Sequence, residues 1–236
     1  MCEHLAHAWG GGQQIIDNDI VALYENLISD KEPEVKSEAV AKLHELSRYA
    51  TPTRMMDKLI PHLAVLANND TSQHVRGSLA LSICKVAKGV GRALTITHLI
   101  APITQLMKDQ ATEVRIELMS HLKTLVEVIG QEEFDHQIIP LLTQLATDKI
   151  WRVKQALIHF IPQLAEFLDK QLFKERLEPV ILGLLSDSVF QIREETVSLL
   201  LTLREVNAED GPFTQAWLED CLETKTREFH IHEKFA

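Results

Sequence analysis

Along this chain an Asp is followed five residues later by Val or Ile and six residues later by a cation, and the group returns every 39 or 40 residues. It reads Asp30–Val35–Lys36, Asp70–Val75–Arg76, Asp109–Val114–Arg115, Asp148–Val153–Lys154 and Asp187–Ile192–Arg193, with a degenerate sixth copy at Thr226, Ile231 and His232. A unit of this length holds two helices and a turn but cannot bury its own apolar face. Its core must be completed by its neighbours. The expected fold is all-α, an α-solenoid of antiparallel helix pairs.

Within each copy the sequence predicts a helix A, a short turn at the Asp and a helix B that starts near the Val–cation pair. In the third copy Val114, Leu118, Leu122, Leu125 and Ile129 form one apolar stripe. Ile100, Ile103 and Leu106 mark its helix A. Gly91 and Gly130 stand where B helices stop, and Gly12, Pro52 and Asp169 hold the equivalent place. Pro61, Pro140 and Pro179 are expected early in their A helices, where a missing N–H costs little. This phase divides the chain into a tail of a preceding repeat (1–14), repeats at 15–52, 53–91, 92–130, 131–169 and 170–210, and a truncated last repeat (211–236).

The recurring Asp is expected to cap the first turn of helix B. The cation is expected to reach the Asp of the adjacent repeat, so that Asp30, Lys36, Asp109, Arg115, Asp148, Lys154 and Asp187 belong to an inter-repeat ladder. Its rungs are expected to be solvent-exposed and worth about 0–1 kcal/mol each.

Composition narrows the function. The net charge of −10 argues against recognition of nucleic acid through phosphate neutralisation and favours protein partners. Cys2, Cys84 and Cys221 are too few and too dispersed for a disulfide scaffold or a zinc framework. No apolar run is long enough to span a bilayer, and the first residues lack the basic start and apolar stretch of a signal peptide. The expected location is the cytoplasm or nucleus, away from membranes.

The stretches DTSQHVRGSLA, KDQATEVRIEL, TDKIWRVKQALIHFIPQLA and LSDSVFQIREETVSLL closely resemble the HEAT repeats of the scaffold (A) subunits of protein phosphatase 2A. By register the chain is similar to the seventh to twelfth repeats of that family's fifteen-repeat horseshoe, a right-handed superhelix. The resemblance implies a non-catalytic scaffold whose intra-repeat turns hold two partners, a phosphatase catalytic subunit on one side and a regulatory, B-type subunit on the other. On the regulatory side it implicates Asn69, Asp70, His74 and Arg76. On the catalytic side it implicates Ser188, Phe190, Arg193, Phe229 and His232, although Thr226 replaces the usual Asp of the last turn. Trp151, Phe190 and Phe229 share one register, two residues before the Val or Ile, where the first three repeats carry Pro33, Gln73 and Thr112. Aromatic side chains therefore mark only the later turns.

Signals for catalysis are sparse. No phosphate-cradling Gly loop, HExxH or nucleophile elbow occurs, and no cofactor is implied. The His–Glu dipeptides of deoxyhypusine hydroxylase, another HEAT-type protein, have counterparts only at His44–Glu45 and His232–Glu233, too far apart along a solenoid to share a metal. Cys2, His4 and His7 cluster at the start of the chain as a weak soft-metal set. A different function class fits the same fold: a nuclear transport receptor or other HEAT-type adaptor that binds basic cargo on acidic helices.

Overall fold

The computed structural model describes residues 12–206 and 219; side chains are described up to residue 203, and at 219. Among the described residues every regular element is helical, and no helix is long and apolar enough to cross a membrane. The chain divides into two compact units, Met1–Ile138 and Ile139–Ala236.

In the first unit, helix A of the second repeat runs as Pro52–Lys58 and Ile60–Asn69, and Gln73–Val90 is its helix B. Helix A buries Met55, Leu59, Leu63 and Leu66, and helix B buries Val75, Leu79, Ile83 and Val86. The third repeat has Thr112–Met119 and Leu122–Ile129 as its B segments. The predicted stripe from Val114 to Ile129 is buried throughout. Its helix is broken at Ser120 and His121, where the Ser120 hydroxyl donates to Ile116 O at 3.2 Å. A side chain bonding back into the turn above it bends a helix in this way.

The prolines differ from expectation. Pro61 and Pro179 do not lie near the start of helix A; each lies mid-way, as the second residue of a second segment. The helix breaks at Leu59 in one unit and at Leu177 in the other, and Ile139–Leu145 likewise begins one residue before Pro140. Proline has no N–H for the carbonyl four residues back and its ring crowds that carbonyl, so a bend follows. Where the register lacks a proline, in repeats one and three, a π-helical turn ends at the same place, Ile15–Ile20 or Thr95–Leu99. Two local chemistries thus deliver one bend.

Gly91 and Gly130 stop their B helices at φ of 85° and 80°, a region closed to residues with a Cβ. Each also opens the next helix: Gly91 O accepts from Thr95 N at 3.1 Å and Gly130 O from Phe134 N at 3.1 Å. Pro52 and Asp169 act as starts rather than stops. Pro52 is the first residue of its A helix, and the Asp169 carboxylate caps Lys170–Arg176 by accepting from Leu172 N at 2.8 Å.

The second unit contains Ile139–Leu145, Trp151–Ala165, Lys170–Arg176, Glu178–Leu184 and Phe190–Val206. Leu142, Val153, Leu157, Ile161, Phe173, Leu177, Ile181, Ile192 and Leu200 form its buried core. The B helices Trp151–Ala165 and Phe190–Val206 pack against each other.

Candidate functional site

The Asp of each turn folds its own backbone first. Its Oδ1 accepts from the N–H two residues on: Glu32 for Asp30 (2.9 Å), Ser72 for Asp70 (2.8 Å), Ala111 for Asp109 (2.8 Å), Ile150 for Asp148 (2.8 Å) and Val189 for Asp187 (2.9 Å). This Asx turn corrects the expected capping role, because the bonded N–H precedes the first turn of helix B. Glu32, Ser72, Ala111 and Ile150 occupy the N-cap, and none of them makes a side-chain cap.

With Oδ1 engaged, the second oxygen faces the neighbouring repeat. In the first unit Lys36 Nζ lies 2.5 Å from Asp70 Oδ2, and Arg76 Nε lies 2.6 Å from Asp109 Oδ2 with Nη2 3.0 Å from Oδ1. In the second unit Lys154 Nζ lies 2.6 Å from Asp187 Oδ2. Each of these three cations reaches forward to the next Asp. Asp30 braces its own turn through Glu32 N. The rungs are largely buried, contrary to the expected solvated ladder. Bonding to Asp109 raises the Arg76 pKa, against the opposing pull of burial.

Arginines at this position also clasp the turn behind them. Nη1 donates to the carbonyl of the turn Asp in Arg76 (2.7 Å to Asp70 O), Arg115 (2.5 Å to Asp109 O) and Arg193 (2.7 Å to Asp187 O). Arg193 Nη1 is also 3.2 Å from Ser188 O, and its guanidinium stands 5.6 Å from the centre of the Phe190 ring. Phe190 is 66% exposed. Among the described residues no carboxylate lies within ion-pair distance of Arg193. In the preceding turn the Arg152 guanidinium stands 5.9 Å from the Trp151 ring, beside Ile150, which is 43% exposed. The second unit thus presents two consecutive turns in which an aromatic ring carries a cation.

Residues 13–91 match the family model described as PPP2R1A-like HEAT repeat, and residues 95–222, more than half of the chain, match the PIK3R4-like middle domain. It belongs to the PIK3R4-like middle-domain family, and it is a phosphatase 2A scaffold-like HEAT-repeat protein. The beta isoform of the human 65 kDa regulatory A-type subunit of serine/threonine-protein phosphatase 2A is 33% identical over 50% of this chain. The chain covers only 20% of that relative's length. Among solved structures, that of Cex1p has a TM-score of 0.66 at 13% identity, covering 93% of this chain and 37% of the other. A designed armadillo repeat protein solved with the peptide (KR)4 has a TM-score of 0.51 at 20% identity, covering 85% of this chain and 89% of its own. These two likenesses show the fold. The relatives are regulatory subunits and repeat proteins, and this HEAT-repeat chain is non-catalytic.

Against the HEAT register, Asn69, His74 and Ser188 are exposed at their turns and Arg193 is half-buried. Asp70 and Arg76, assigned from sequence to the regulatory side, face into the ladder; their charges are matched internally. Phe229 and His232, Thr226, and Cys2, His4 and His7 lie outside the described residues, and among the described residues no cluster could hold a metal ion. Sequence reasoning missed Ile150 and Arg152. The signal was present in the IWR triplet, an apolar residue and a cation either side of the aromatic, in a turn where the first three repeats place Glu32, Ser72 and Ala111 before Pro33, Gln73 and Thr112.

Proposed function

We propose that this chain is a scaffold whose turns bind phosphatase subunits of the 2A type, in the cytoplasm or nucleus. The turns of the second unit hold a catalytic subunit. The exposed turn residues of the first unit, Asn69 and His74, face a regulatory subunit. The observation that carries this reading is the Phe190–Arg193 pair. An exposed ring beside a guanidinium held in place by two backbone carbonyls, with no carboxylate among the described residues to neutralise it, forms an anchor of the kind that dominates protein interfaces. Lys36, Arg76 and Lys154, at the same register, are neutralised within the fold. Support from relatives is the similarity to a named regulatory subunit of phosphatase 2A.

Titration calorimetry against an isolated 2A-type catalytic subunit tests the reading. Phe190→Ala and Arg193→Ala should each lower affinity by about 1–2 kcal/mol or more while leaving the unfolding midpoint near that of the parent. Unchanged affinity in both variants overturns the assignment. Capture of a basic cargo by the parent chain, with no catalytic-subunit binding, would move it to the transport-adaptor class.

A further inference from the structure

Helices Ile139–Leu145 and Glu178–Leu184 leave between them a cavity of about 720 Å³, wholly within the second unit. Its size falls in the range of small-molecule sites, roughly 300–1,000 Å³. Ala146, Pro179, Val180 and Leu184 supply apolar walls. Gly183 keeps it open: a Cβ built there meets no atom within 4 Å. A helical glycine with nothing packed on it weakens its helix without a packing return, and here it leaves that part of the lining bare.

The lining also carries charged side chains, Lys154, Glu175, Arg176 and Asp187. Lys154 is buried to the point that its side chain is 9% exposed, and its ammonium meets one acceptor among the described residues, Asp187 Oδ2 at 2.6 Å. An ammonium carries three donors, so two N–H groups remain for an acceptor in the cavity. Around it the charges balance, with Lys154 and Arg176 against Asp187 and Glu175. A net charge on a ligand would meet a like charge on one of these side chains, whereas a neutral carbonyl oxygen can accept from Lys154 with no such opposition.

We propose that this cavity binds a small uncharged amphiphile, with its aliphatic body along Val180, Gly183 and Leu184 and its carbonyl oxygen on Lys154 Nζ. The cavity borders the turn of Asp187 and Ser188, but its ligand follows from its own lining and not from the phosphatase partners proposed above. Three probes of equal chain length, hexanamide, hexanoate and hexylammonium, test it on the full chain by amide chemical-shift titration, with Gly183→Leu as a variant that fills the cavity and Gly183→Ala as a milder one. Hexanamide should shift the amides of residues 180–184 with millimolar affinity, bind at least about threefold tighter than either charged probe, and lose about tenfold or more in Gly183→Leu, with a smaller loss in Gly183→Ala. Equal or tighter binding of a charged probe, unchanged hexanamide binding in both variants, or no shift at these amides each overturns the proposal.

Discussion

Arg76 grips Asp109 with two nitrogens, Nε at 2.6 Å and Nη2 at 3.0 Å, and at the same time holds Asp70 O with Nη1 at 2.7 Å. One side chain therefore locks its own turn and the next one together. The geometry uses the fork of the guanidinium, which a lysine cannot reproduce. Arg76→Met should cost about 3–5 kcal/mol in chemical denaturation, because Asp109 is left charged and buried. A loss under about 1 kcal/mol would return this rung to the class of solvated surface pairs.

Leu118 is fully buried at the centre of the third repeat's stripe. Leu118→Ala should cost about 2–5 kcal/mol by leaving a cavity. Urea titration of the variant measures it, and a change below about 0.5 kcal/mol would show that the site collapses or is not core.

Two glycines of helix Gln73–Val90 should respond with opposite signs. A Cβ on Gly89 would lie 2.5 Å from Ser47 O and 2.7 Å from Ser47 Cβ, and a backbone oxygen cannot step aside. Gly89→Ala should therefore destabilise by about 1–3 kcal/mol. A Cβ on Gly77 meets nothing within 4 Å, so Gly77→Ala should stabilise by about 0.5–1 kcal/mol through helix propensity. Thermal unfolding of the two variants side by side checks the pair of signs.

Burial pushes the Cys84 thiol up to about 12, with Lys85 opposing weakly. Its folded value is raised above the unfolded one, so the stability it contributes is fully present below the ordinary thiol range and is lost as pH climbs through that range towards 12. Stability should fall by up to about 1.4 kcal/mol per pH unit in this window from this group alone. Comparing the alkaline limb of the stability curve with that of Cys84→Ala isolates the contribution. Equal slopes would mean that the thiol ionises in the folded state. Mass-spectrometric mapping after a thiol reagent at pH 8 should leave the Cys84 peptide unlabelled until the chain unfolds.

The spacing of Asp30, Asp70, Asp109, Asp148 and Asp187 made the repeats and their turns legible from sequence, because a 39-residue period has few physical meanings. The apolar stripe of Val114 to Ile129 was legible for the same reason. The bends in helix A were not. The segments PTRMMDK and KQLFKER carry little apolar periodicity, so the pattern puts the start of helix A near Pro61 and Pro179, whereas the helix begins at Pro52 and Lys170. Burial of the rungs was hidden too, since a charged pair in sequence says nothing of how far the fold encloses it. In the turns of the second unit, Phe190 and Arg193 were found by register, while Ile150 and Arg152 needed the geometry around the Trp151 ring.

Forward-only pairing has a consequence for how such an array changes length in evolution. A gene segment that spans one whole period brings one acidic acceptor and one cation, so its duplication or loss lets the flanking rungs re-form with new neighbours and leaves no buried charge orphaned. A segment cut out of phase strands one member of a rung. Tandem copying in whole periods is thus the route that the electrostatics permit, and lineages of this protein should differ by complete helical pairs.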